Sequence, residues 1–145
     1  MGVNGELFNK GSVTVLVPDG WRVFQHKDSD GTVNLRRLYV YKGAEHEFDI
    51  FTRAGITLCF YGKGMIYLTS RNFYSDVCEI DPFTLGNYNW TGYTCTSLGY
   101  PYTVLEAEKD GCHIQLMILE KNGEYSISPE DEDVRAIIGS ISFSE

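Results

Sequence analysis

Residues that announce a chemistry are scarce in this chain. Its 145 residues include three histidines, four cysteines and 12 Lys and Arg against 20 Asp and Glu, a formal net charge of −8. Phosphate backbones are bound by clustered Lys and Arg. The one short basic pair, Arg36-Arg37, sits in an alternating stretch and reads as a solvated strand position. The balance argues against nucleic acid as a partner. Cys59, Cys78, Cys95 and Cys112 are far apart and none forms a C-x-x-C pair, so neither a zinc ribbon nor a thioredoxin-type site is supported. They read as reduced thiols, with Cys59 and Cys112 behaving as small buried hydrophobes. No run approaches the ~20 apolar residues that span a bilayer, so this domain itself is not expected to insert into a membrane. No signal peptide is visible, and Met1-Gly2 reads as the start of a trimmed domain; Glu6 stands where a myristoylation motif needs Ser or Thr.

Catalytic signatures are missing too. The patterns G-x-S-x-G, H-E-x-x-H and the P-loop are absent. His46 lies in Glu45-His46-Glu47, where strand geometry would point both carboxylates away from the ring. Cys112 and His113 are neighbours and would face opposite sides of a strand, which removes them as a nucleophile pair. The alternation Asp28, Asp30, Thr32, Asn34 suggests an oxygen-ligand loop. A calcium loop, however, needs Gly at its sixth place and Glu at its twelfth, and here Gly31 directly follows Asp30, as in a hairpin turn. The acidic run Glu130 to Asp133 is explained by helix capping, since consecutive helical residues point in different directions. No catalytic residue, metal or cofactor is assigned.

What is present specifies a fold. The length suits one domain, 1–145, and a chain of this size buries roughly 70% of its extended surface. Hydrophobic residues make up 43% and aromatics 14%, with ten Tyr, eight Phe and fifteen Gly, a composition typical of strand-rich proteins with many turns. The last quarter is the most legible. Thr103, Leu105 and Ala107 alternate with Tyr102, Val104, Glu106 and Glu108 up to Lys109, and Asp110-Gly111 then supplies the two positive-φ positions of a tight hairpin turn. That turn pairs Lys109 with Cys112, Ala107 with Ile114, Leu105 with Leu116 and Thr103 with Ile118, which brings the apolar faces together. His113 then sits opposite Glu108, a cross-strand charge pair. Ser128-Pro129 opens a helix, with Ser128 as cap and Pro129 in the first position, and Val134, Ile137, Ile138 and Ile141 form its apolar stripe.

Upstream, Val13 to Val17 and Trp21 to Gln25 are strands joined by Pro18-Asp19-Gly20, and Asp28 to Gly31 is a second turn. From Asn34 to Lys42, Leu35, Arg37, Tyr39 and Tyr41 alternate with Arg36, Leu38 and Val40. Ala44 to Gly55 is ambiguous, anchored by Phe48, Ile50 and Phe51; Ile56 to Tyr61 is a strand. Ser70 caps a short helix over Arg71 to Val77, and Asp81-Pro82 ends that region. Tyr88 to Trp90 and Tyr93 to Leu98 read as short strands either side of Thr91-Gly92, before Gly99-Tyr100-Pro101 turns into the final hairpin. The expected class is α+β: an antiparallel sheet with a C-terminal amphipathic helix and one or two short helices.

The opening Val13-Thr-Val-Leu-Val-Pro-Asp-Gly-Trp21 and the closing Asp133-Val-Arg-Ala-Ile-Ile-Gly-Ser-Ile-Ser-Phe143 together resemble PsbP-like domains. The resemblance covers about a fifth of the chain, at its ends. It implies a PsbP-like fold and a non-enzymatic binding or assembly module, extracytoplasmic in a membrane-anchored bacterial protein. It transfers no functional residue, and fold analogy is an associational warrant. The expected function is therefore a non-catalytic interaction domain whose partner is a protein or its own membrane-anchored chain. The alternatives are a carbohydrate or cell-wall binding module and a hydrolase of unspecified type. The candidate ligand-binding residues are the densest aromatic group, Tyr88, Trp90, Tyr93, Tyr100 and Tyr102, because rings stack on sugar faces and fill protein contacts. Three or more of these rings on one exposed face would favour a sugar platform.

Overall fold

A computed structural model of the chain describes residues 2–143, with all their side chains except those of Asn34 and Leu35. The alternating pattern of the strand over those two residues therefore lies partly outside the described side chains. Strands β1 (Gly5–Lys10), β2 (Val13–Pro18) and β12 (Ser142–Phe143) make a three-stranded antiparallel sheet in the order β1-β2-β12. The main sheet has seven antiparallel strands: β3 (Trp21–Lys27), β4 (Val33–Lys42), β5 (Gly55–Tyr61), β6 (Ser75–Leu85), β7 (Tyr88–Ser97), β8 (Tyr100–Lys109) and β9 (Cys112–Leu119). Their order across the sheet is β3-β4-β5-β9-β8-β7-β6. A short hairpin of β10 (Lys121–Asn122) and β11 (Tyr125–Ser126) leads to the helix α1 (Glu132–Ser140).

Strand alternation divides the main sheet into two faces. Leu38 and Val40, then Ile56, Leu58 and Phe60, then Ile114, Leu116 and Ile118 point inward and are buried, together with Leu105, Ala107, Tyr88 and Trp90. They pack against Val13 and Val15 of β2 and against Val134, Ile137, Ile138 and Ile141 at the helix. The helix is tied at both ends. The Trp21 indole donates to Asp133 Oδ2 at 3.1 Å, Lys42 Nζ lies 3.3 Å from the same carboxylate, and the Leu16 amide donates to Ser140 Oγ at 2.7 Å. At the far end, a Cβ on Gly86 (φ +67°) would lie 2.3 Å from the Gly139 carbonyl oxygen, so only glycine lets the β6–β7 turn meet the helix.

The terminal hairpin has the expected register, Lys109 with Cys112 through Thr103 with Ile118, and Asp110 and Gly111 have φ of 54° and 82°. His113 Nε2 lies 3.1 Å from Glu108. The fold class needs correction. Strands take 56% of the chain and helical residues 12%, in one short α-helix and two 3-10 turns, so the domain is predominantly antiparallel β rather than α+β, and more β-rich than a PsbP-like fold. The expected helix over Arg71 to Val77 is a single 3-10 turn, Arg71–Phe73, followed by the long edge strand β6. That strand accommodates Asp76 at φ 57° and Pro82 through register shifts between Ser75 and Cys78 and between Ile80 and Phe83; an edge strand tolerates proline because one side of its ladder is unpaired.

Thr91-Gly92 is not a break but the middle of β7. A Cβ on Gly92 would lie 2.2 Å from the Val104 carbonyl, so the glycine marks close approach of two strands. The turn before β8 is Leu98-Gly99, both at positive φ, and Tyr100 and Pro101 already belong to the strand. The helix begins at Glu132 with Asp131 as its N-cap. Ser128 instead closes the preceding turn, its hydroxyl accepting from the Glu130 amide at 3.1 Å.

Candidate functional site

The outer face of the sheet, away from α1, carries two different surfaces. The first is covered by the segment 62–74, which crosses β5, β9 and β8. The Tyr67 hydroxyl donates to the Glu106 carboxylate, and its ring stacks on His113 with centroids 4.9 Å apart. The Arg71 guanidinium holds Glu79 through two bonds of 2.6 and 3.0 Å, lies 3.6 Å from Glu106 and sits over the Tyr93 ring. The Ser70 and Tyr93 hydroxyls are 2.9 Å apart, and Gln115 Nε2 donates to Ser70 Oγ at 3.1 Å. Burial, and after it the Glu106 carboxylate, push the Tyr67 hydroxyl far above the usual tyrosine range. A hydroxyl held this firmly in its protonated form is a donor, not a base. The carboxylate, guanidinium, amide and hydroxyls are occupied by one another, an arrangement that clamps a loop to a sheet.

The second surface is open. The strand order lines up Tyr41 with Gly55, Gly55 with Leu119, and Leu119 with Tyr102 in one row across β4, β5, β9 and β8. Gly55 makes the row possible. A Cβ there would lie 2.3 Å from Tyr41 Cγ, so the Tyr41 ring rests directly on the Gly55 backbone. Around this row lies a groove of about 400 Å³, lined by Tyr39, Tyr41, Tyr100 and Tyr102 and also by Phe51 and Leu98. A shallower space of about 270 Å³ continues past Phe48, Ile50 and Phe51 to His26, whose Nδ1 lies 2.8 Å from the Tyr39 hydroxyl.

The rim is rigidly presented. The 3-10 turn Glu47–Phe51 is capped by Asp49, whose carboxylate accepts from the Glu45 and His46 amides at 2.8 and 3.1 Å. These bonds hold the Asp49 carboxyl below the ordinary range. Asn122 Nδ2 donates to the carbonyls of Phe51 and Arg53 at 3.1 and 3.3 Å. On this fixed turn Phe48 is 75% exposed and Phe51 72%, while Leu98, at φ 50° on the opposite rim, is 96% exposed. A bulky residue at positive φ is strained, and a fully exposed leucine gains nothing from packing.

The sheet does not keep the five candidate rings together. Tyr88 and Trp90 project inward, 6% and 0% exposed, with the Trp90 indole donating to the Leu85 carbonyl at 3.2 Å and the Tyr88 hydroxyl to that of Phe143 at 3.3 Å. Tyr93 is outward but buried beneath Arg71 and Ser70. Tyr100 and Tyr102 alone line the open groove. Sequence reasoning did not name their companions. The alternation of Tyr39 and Tyr41 was visible, but only the strand order brings that strand opposite β8. Phe48 and Phe51, the anchors of the ambiguous stretch from Ala44 to Gly55, are exposed.

Among the described residues no group of three His, Cys, Asp or Glu side chains could hold a metal ion, and no helix is long and apolar enough to cross a membrane. The chain matches no protein-family model and no curated protein.

Proposed function

We propose that this chain is a non-catalytic binding domain whose contact surface is the groove between the turn at 47–51 and the β7–β8 turn. The observation that carries the reading is the combination of an aromatic trough lined by Phe51 and Leu98 with Phe48 in the adjoining space, all three more than 70% exposed. Large apolar side chains gathered around a concavity are the usual mark of a contact surface. The rim chemistry favours a protein partner presenting an extended apolar segment, since Phe and Leu offer area but no hydrogen bonds. A carbohydrate is the second reading, favoured by the four groove tyrosines, whose rings can stack on sugar faces while their hydroxyls bond to the edges. An extracytoplasmic place in a membrane-anchored bacterial protein rests on the resemblance of the two chain ends to PsbP-like domains.

The test is selection from a displayed random peptide library beside a panel of cell-wall oligosaccharides, with amide chemical shifts locating the bound probe. Selected peptides rich in apolar residues should shift Tyr41, Phe51 and Tyr102. The double variant F51S/L98S should bind them at least about tenfold more weakly, because exposed apolar anchors carry binding energy without supporting the fold. Saturable sugar binding at the same residues would establish the second reading. Shifts confined to other faces, or binding indifferent to F51S/L98S, would overturn both.

A further inference from the structure

A second cavity, on the inner side of the sheet, has different chemistry. The β6–β7 pairing slips between Ile80 and Phe83, an irregularity of the kind that bends a strand locally, while α1 closely approaches the β6–β7 turn at Gly86 and Gly139. Between this strand and the flank of the helix lies a cleft of about 510 Å³, within the range of small-molecule sites. Its walls are apolar: Ile80, Phe83, Leu85, Leu105 and Ile138. Its polar groups are Asp81, Glu120 and Glu130 against the single cation Arg135, with Thr94 and Thr103. Both hydroxyls are already used as donors, Thr103 to Glu120 Oε2 at 2.8 Å and Thr94 to the Cys78 carbonyl at 3.5 Å. The cleft thus offers apolar walls and carboxylate acceptors, and it lacks a hydroxyl free to donate.

We propose that this cleft binds a small amphipathic amine, with its hydrocarbon or aromatic body between Phe83, Leu105 and Ile138 and its ammonium at Glu120. Charge complementarity selects the head group, since three carboxylates face one guanidinium and a bound carboxylate would meet their repulsion. The Thr103 bond fixes one Glu120 oxygen and leaves the other to accept from the ligand. Glu120 is half-buried, so an ammonium there exchanges part of its hydration for a charge-assisted bond while its body leaves water. This site is separate from the outer groove, and neither depends on the other.

The experiment uses the full chain labelled with ¹⁵N and titrated with phenethylamine, cyclohexylamine and octylamine, each beside the alcohol and carboxylic acid of the same body. The amines should shift the amides of Phe83, Leu105 and Arg135 saturably. The matched alcohols and acids should bind at least about tenfold more weakly, the worth of one hydrogen bond to a charged group. E120Q keeps an acceptor for Thr103 and should weaken the amines by about the same factor. I80W, on the edge strand, should block them all by filling the cleft. Acids or alcohols binding as tightly as amines, shifts that map elsewhere, the lack of any saturable shift, or binding unaffected by both variants would each overturn the proposal.

Discussion

Gly55 carries a sharp consequence of the groove's construction. An alanine there puts a methyl carbon 2.3 Å from Tyr41 Cγ, far inside van der Waals contact, and the atom it meets is the root of the ring rather than a mobile tip. Tyr41 is buried, so the ring must leave its seat or the two strands must part. Overpacking of this kind costs about 1–3 kcal/mol. Against it, Gly→Ala narrows the unfolded ensemble by about 0.4–1 kcal/mol. The net for G55A is a loss of about 1–2 kcal/mol, a fall in melting temperature of about 3–7 °C for a domain of this size. The same substitution in a Y41A background meets no ring, so it should be neutral or stabilising by up to about 1 kcal/mol. A double-mutant cycle followed by thermal unfolding reads that reversal of sign. A G55A variant as stable as the parent, or an equal cost with and without the Tyr41 ring, would refute the account of how the groove is floored.

Alkaline stability should fall steeply. The hydroxyls of Tyr67, Tyr41, Tyr93 and Tyr102 are all pushed up, chiefly by burial, so the folded chain holds these protons more tightly than the unfolded one. Their contribution is complete below about pH 10, the unfolded value, and is lost as pH rises through the higher folded values; phenolate absorbance of these rings should appear together with unfolding and not before. Among the four free thiols only Cys78 is exposed, so it should react rapidly with a thiol reagent in the native state, while Cys59, Cys95 and Cys112 should wait for denaturant. Four fast thiols would contradict the burial. Replacing Ile138 by Ala should cost about 2–5 kcal/mol, and a chain ending at Ser128 should not unfold cooperatively, because Val134, Ile137, Ile138 and Ile141 all belong to the main core. A cooperative transition in that truncation would show the sheets to be self-sufficient.

The parts of the fold legible in the sequence were those where turn chemistry and alternation agree. Asp110-Gly111 and the flanking alternation gave the register of β8 and β9, and the isoleucine stripe gave the buried face of α1. The failures are places where tertiary contact overrides a local pattern. Gly92 reads as a turn but is glycine because Val104 presses on it. Phe73 and Val77 have helical spacing, yet Asp76 at positive φ breaks that turn and the segment joins the ladder instead. The candidate site was half legible. Tyr100 and Tyr102 line the groove, but the rest of it comes from β4 and the turn at 47–51, which only the strand order brings within reach. No local pattern distinguishes a Phe48 or Phe51 held out to solvent from one sunk in a core.

The claim that the outer groove binds, and that Tyr88 belongs to the core, is tested most directly by a pair of variants measured for both stability and binding. Tyr88 is 6% exposed and Tyr100 43%. Y88A should lose about 3–5 kcal/mol, and with it about 10 °C or more of melting temperature, as buried aromatic truncations do. Y100A should melt within about 2 °C of the parent, because a half-exposed ring on the rim supports little of the fold, yet bind the selected peptide or sugar at least about tenfold more weakly. A Y100A chain that binds as well as the parent, or a Y88A chain that keeps its stability and loses binding, would contradict the account.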